Sequence, residues 1–160
     1  MQQVSVIKTP SYDQTMVNEA VRRHFALHGM GKRLHPGMKV LIKPNLLMKR
    51  RPEEFTTTHP SVVEGAIIAL KEYGVTDITI GDSPGGLYTR GQLSAIYRAS
   101  GMEGVAVRQG VKLNLDTGFG EVEAPEAKIC PRFTIIDPAR EADMIISVGK
   151  VKTHGMTGLS

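Results

Sequence analysis

Two lysines, a hydroxyl and an imidazole follow one another at Lys150, Lys152, Thr153 and His154, directly after the apolar run Met144, Ile145, Ile146 and Val148. If that run is a strand continuing through the lysines, the two ammonium groups point to one side and repel each other unless an anion lies between them. A second polar set, Lys43 with Asn45, follows Val40-Leu41-Ile42. A third, Asp82 with Ser83, opens the turn that leaves Ile78-Thr79-Ile80. The fourth, Thr56-Thr57-Thr58-His59, precedes Pro60, a residue suited to the first position of a helix, where unpaired backbone N–H groups attract anions. His59, His154 and Asp82 are therefore the candidate acid–base groups, since an imidazole titrates near neutral pH. Lys43, Asn45, Thr57, Thr58, Ser83, Lys150, Lys152 and Thr153 are the candidate ligand-binding groups. The same three acid–base residues could hold zinc or ferrous iron if they converged. The neighbouring lysines would repel a cation, so no metal is expected.

Plainer readings stand beside these. Lys43 can be a strand-end lysine reaching solvent, and Thr56 to His59 can simply cap the next helix. Asp82 to Gly86 can be a tight turn of Asp, Pro and Gly; it matches neither the dinucleotide fingerprint nor the P-loop. Thr58-His59 and Thr153-His154 are both Thr-His pairs near a strand-end lysine, which is too short an echo to make a repeat.

Short apolar runs alternate with amphipathic stretches, the pattern of βαβ units and a mainly parallel sheet between helices, so the expected fold class is three-layer α/β. Val4 to Ile7 is expected as a first strand. Asp13 can cap a helix carrying Val17, Val21 and Phe25, with His24 and His28 on its flank. Lys39 to Lys43 reads as a strand buried on both faces. The following loop, Pro44 to His59, is long enough to suggest function. A helix from Pro60 has Val63, Ile67 and Leu70 inward, Ser61 and Glu64 at capping-box spacing, and Gly74 as its stop. Ile78 to Ile80 is a strand, Thr89 to Ala99 a helix, Val105 to Leu115 one or two strands, Phe133 to Ile136 a strand, and Pro138 to Ala142 a helical turn. Gly118 to Pro131 shows no readable pattern. In such sheets ligands bind outside the carboxyl ends of the strands, where three of the polar sets fall, and the fourth stands at a helix amino terminus.

The chain has 160 residues, 41% hydrophobic and 22% charged, and a formal charge of +4. These values fit one globular domain, residues 1–160, and favour anionic partners. No apolar run reaches the roughly 20 residues that cross a bilayer, and the first residues lack a signal-peptide pattern, so a soluble, cytoplasmic protein with no membrane partner is expected. Cys130 is the one cysteine and can hold neither a disulfide within the chain nor a cluster by itself. Lys49-Arg50-Arg51 raises nucleic acid, but 5% aromatic content, no tryptophan and no recognisable motif speak against it.

"VLIKPNLL", "TTTHPSVV", "IGDSPGG" and "ISVGKVKTHGMTG", in that order, resemble the family called domain of unknown function 362. The resemblance implies an α/β domain with signature positions at Lys43, Asn45, Thr57, His59, Asp82, Ser83, Lys150, Lys152, Thr153 and His154, and it supplies no reaction. Many members carry an iron–sulfur domain after this core, so a cluster is expected only in a downstream or partner domain. Members usually continue beyond the last motif, which points to a portion of a longer domain or to completion by another copy. The strand-then-Lys-then-His pattern is also similar, more faintly, to lactate racemase-like proteins, whose histidines act as acid and base on a 2-hydroxy acid.

Three functions follow as expectations. The first is a domain binding a small carboxylate or phosphate ester, serving a redox partner. The second is an enzyme moving a proton beside a carboxylate, with His59 and His154 as acid and base and Lys150 holding the substrate. The third is an assembly subunit, a homo-oligomer whose lysines meet acidic side chains.

Overall fold

A computed structural model describes residues 3–154 and 158–159, without the side chains of His154 and Leu159. The chain opens with an extended segment that leads into helix α1 (Gln14–Leu27), where the Asp13 carboxylate accepts from the Met16 N–H as N-cap. The run Val4 to Ile7 forms no strand, contrary to its composition. Val4 and Val6 are 85% and 92% exposed, and Ser5 instead reaches α1, its Oγ 2.6 Å from His24 Nδ1 and 2.8 Å from His28 Nε2. β-propensity expresses fit to a half-buried pleated surface, and this run meets a helix flank instead.

Strand β1 (Lys39–Pro44) is followed by helix α2 (Pro60–Glu72), strand β2 (Asp77–Ile80), helices α3 (Arg90–Ala99) and α4 (Met102–Gln109), and strand β3 (Lys112–Leu113). The hairpin β4 (Phe119–Glu123) and β5 (Arg132–Ile136) leads into the short helix α5 (Asp137–Glu141) and strand β6 (Met144–Val148). Thr153–His154 and Gly158–Leu159 pair as β7 and β8. The main sheet has the order β3-β2-β1-β6 and all three of its pairings are parallel.

Alternation along the strands decides the layers. Val40, Ile42, Ile78 and Ile80 point to one face and pack with Val63, Ile67 and Leu70 of α2, with Leu93, Ile96 and Tyr97 of α3, and with Met102 and Val105 of α4; Met144, Ile146 and Val148 join them. Those that are fully buried, such as Ile42, Ile67 and Leu93, each contribute about 1.5–3 kcal/mol of transfer free energy, and the half-buried Met144, Ile146 and Val148 less. Leu41 points to the other face, where a cleft of about 390 Å³ separates the sheet from Pro138 and Ala142 at α5. The sheet thus has helices on both sides, as expected.

Three local expectations need correction. The first half of Val105 to Leu115, through Gln109, is helix: Met102, Val105 and Ala106 face the core at helical spacing, between Gly101 and Gly110 in left-handed conformations that suit glycine. Only Lys112–Leu113 is strand. Gly118 to Pro131, unreadable in sequence, supplies β4. Ser61 does not cap α2; His59 does, and Glu64 is instead buried against Arg108, 2.6 Å away, and Gln109.

The chain runs from β1 outward through β2 to β3, then returns to place β6 on the opposite side of β1. The topological switch point therefore lies at the carboxyl ends of β1 and β6, the place where open parallel sheets form a ligand crevice.

Candidate functional site

At that switch point Thr58 joins the two strand ends. Its N–H donates to Asn45 O at 3.0 Å, its Oγ1 accepts from Asn45 N–H at 2.9 Å, and the same hydroxyl donates to Val148 O at 2.7 Å. A threonine 2% exposed thus gives its hydroxyl to two backbone groups at the last rung of the β1–β6 ladder. Asp82 has a comparable place after β2. Its side chain is 4% exposed; Oδ1 accepts from Lys43 Nζ at 2.7 Å and Oδ2 from the Leu46 N–H at 2.9 Å. The Asp82 N–H meets Tyr97 Oη at 3.3 Å, and burial pushes that phenol well above its ordinary pKa. Lys43 and Asp82 are consequently partners of each other, so the charge of Lys43 is already answered within the chain.

Two non-glycine residues of the loop after β1, Leu47 and Phe55, have φ of 55°. Such conformations cost energy and persist where surrounding structure holds them. The Leu47 carbonyl accepts from the Gly85 N–H at 2.9 Å, which ties this loop to the turn after β2.

His59 stands at the start of α2. Its Nδ1 accepts from the Ser61 N–H at 3.2 Å, and Pro60 occupies the first helical position. The Tyr12 ring stacks on the imidazole with centroids 3.9 Å apart and planes 11° from parallel. Lys150 Nζ lies 3.1 Å from the Tyr12 hydroxyl and 5.6 Å from the ring centre. Burial, then the Lys150 charge, lower the His59 pKa, with Glu53 acting weakly in the opposite sense. Just before the helix, the hydroxyls of Thr56 and Thr57 are buried and lack a hydrogen-bond partner among the described residues. Buried hydroxyls are ordinarily paired, so two together ask for a physical reason.

The structure brings Lys43 to Asp82, Asn45 to Thr58, and His59 to Lys150 through Tyr12. Ser83 and Thr153 are exposed, and Lys152 is half-buried. The side chain of His154 lies outside the described residues. The picture of two lysines on one strand face needs correction: β6 ends at Val148, and Gly149 to Lys152 follow no strand alternation. Tyr12 is the residue that sequence reasoning missed. It lies before the first helix in a stretch without periodicity, far in sequence from every other member of the site, and only its aromatic character could have drawn notice.

The family model described as Domain of unknown function (DUF362) matches residues 40–160. A curated relative, named "Thylakoid-associated protein sll1697" in Synechocystis, is 28% identical over 152 residues, covering 94% of this chain and 45% of the relative. The chain thus spans less than half the length of the relative it matches. No solved structure matches it. Among the described residues, no helix is long and apolar enough to cross a membrane.

Proposed function

Because this chain belongs to the DUF362 family, whose description states no reaction, we propose its function from the geometry of the switch point: it binds a small anion, a carboxylate or phosphate ester, between the ends of β1 and β6. One observation carries the reading. Lys150 and His59 meet there around a single oxygen-bearing side chain, Tyr12, whose hydroxyl sits 3.1 Å from the ammonium. An anionic oxygen in the place of that phenol would make a shorter, charge-assisted hydrogen bond, about twice as strong as a neutral one. The buried hydroxyls of Thr56 and Thr57 beside the amino end of α2, without a partner among the described residues, support it, as does the position of the crevice. Lys43, held by Asp82, shapes the site; Lys150 is its principal charge.

The test is thermal stability of the protein and of Lys150→Ala against inorganic phosphate, oxalate, 2-hydroxy acids and nucleotides. The reading expects a rise in Tm with at least one anion that is much reduced in the variant. No rise with any anion, or an equal rise in both proteins, overturns it.

The second reading makes the site an enzyme that moves a proton beside a carboxylate, with His59 and His154 flanking a substrate held by Lys150. The lowered pKa of His59 favours it, because the imidazole is then neutral at pH 7. Incorporation of solvent deuterium at the carbon next to the carboxylate of a 2-hydroxy acid would support it, and the absence of exchange would dismiss it for that substrate class. A redox partner and assembly with further copies also remain proposals, and any iron–sulfur cluster would belong to another domain or protein. For location, the cytoplasmic reading competes with attachment at a membrane surface, which the name of the Synechocystis relative suggests; cell fractionation separates the two.

A further inference from the structure

We propose that His59 is locked with its single ring proton on Nε2 and gives a hydrogen bond to an oxygen of the bound anion instead of taking a proton from it. The proposal rests on the reading of the switch point as a ligand site and names what that site demands: an acceptor oxygen beside the imidazole.

An amide N–H can only donate, so the 3.2 Å contact from Ser61 N to Nδ1 requires a lone pair on Nδ1. Pro60, with no N–H and a fixed φ, leaves Ser61 as the first amide of α2 able to make this contact. A ring with Nδ1 unprotonated carries its one proton on Nε2. A second proton would have to displace the Ser61 amide and sit at the positive end of the helix dipole. It would also face the Lys150 charge, which outweighs the opposing Glu53 among the described residues. Tyr12, stacked at 3.9 Å, covers one face of the ring and resists the flip that would put Cδ2 in the place of Nδ1 and take the lone pair away from the Ser61 amide. Nε2 is therefore the nitrogen left to meet a ligand, and it meets it as a donor. A neutral imidazole loses its last proton only far above physiological pH, so this N–H orients and polarises an oxygen without transferring its proton. In the enzymatic reading, the group that removes a proton would then be His154.

Two measurements separate this proposal from the reading beneath it. In two-bond ¹H–¹⁵N spectra of protein labelled at histidine, His59 should show an unprotonated Nδ1 and a protonated Nε2 between about pH 6.5 and 8. A proton on Nδ1, or on both nitrogens, overturns the donor role alone. In titrations with inorganic phosphate and with oxalate, His59→Gln, which keeps an N–H near the Nε2 position, should bind within about threefold of the unmodified protein. His59→Asn, which keeps an acceptor for the Ser61 amide but has no group at Nε2, should bind about tenfold or more weakly, as the loss of one hydrogen bond to a charged group implies. Equal binding by the two variants overturns the donor role. If the unmodified protein binds neither these two anions nor the 2-hydroxy acids and nucleotides tested beside them, the site itself is overturned and the donor role falls with it.

Discussion

Replacing Thr58 by valine removes a hydroxyl that closes the switch point, and its cost can be worked from two distances. The Oγ1 accepts from Asn45 N at 2.9 Å and donates to Val148 O at 2.7 Å, in a side chain only 2% exposed. Valine has nearly the same shape, so no cavity opens, and the loss is confined to the two bonds. Both partners are backbone groups that lose the hydroxyl, each at a cost of about 1–3 kcal/mol, so Thr58→Val should destabilise by about 2–6 kcal/mol. Thr58→Ser keeps the hydroxyl and removes one methyl, a loss of about 1 kcal/mol. Urea unfolding at neutral pH measures both, with the slope m unchanged if unfolding stays two-state. Amide exchange at Asn45 should also accelerate in the valine variant. A valine variant within about 0.5 kcal/mol of the parent, a range expected of ordinary surface changes, would refute the reasoning, as would a serine variant that is equally damaged.

Three other outcomes are expected. Asp82→Asn keeps an oxygen for the Leu46 N–H but loses the charge facing Lys43; for a carboxylate this buried the cost should be about 2–3 kcal/mol by chemical denaturation, whereas a change near zero would mean the pair is merely adjacent. Tyr12→Ala uncovers His59, and because burial is the first cause of its lowered pKa, the imidazole pKa followed by NMR should rise toward its ordinary value; an unchanged titration would show that Tyr12 does not shield the ring. His24 and His59 both have pKa values lowered chiefly by burial. The unfolded chain therefore binds more protons as the pH drops, and stability should fall as the pH passes downward through about 6.5 and level off below the folded values. That slope, read from Tm between about pH 5 and 8, should shrink in a His24→Gln, His59→Gln double variant, and a slope equal to the parent's would contradict it.

The elements that sequence made visible are those with a strong period or an unambiguous stop. Val63, Ile67 and Leu70 between Pro60 and Gly74 define α2, and the apolar triplet Val40-Leu41-Ile42 marks a strand covered on both faces; both stand where expected. The elements that were misjudged have mixed signals. Val105 and Val107 suggest a strand, yet burial of Met102, Val105 and Ala106 with Val107 77% exposed settles the segment as helix, a choice that propensity alone cannot make. β4 reads Phe-Gly-Glu-Val-Glu and exists through pairing with β5, a relation no local window contains. The candidate site shows the same division. The rule that polar residues gather at strand ends found Lys43, Thr58, His59, Asp82 and Lys150 from one sequence. It could not show that Lys43 spends its charge on Asp82, nor that Tyr12 arrives from outside the motifs to stand between His59 and Lys150, because both facts depend on how distant segments pack.

The central claim is that an anion belongs at the junction of β1 and β6. Backbone amide shifts recorded while inorganic phosphate or oxalate is added test it most directly, since they report position without assuming a reaction. The account predicts saturable shifts concentrated at Thr58, His59, Ser61, Gly149 and Lys150, accompanied by loss of the Tyr12 hydroxyl contact with Lys150. Shifts spread along Lys49 to Arg51 and other surface cations, with the switch point unmoved, would contradict it.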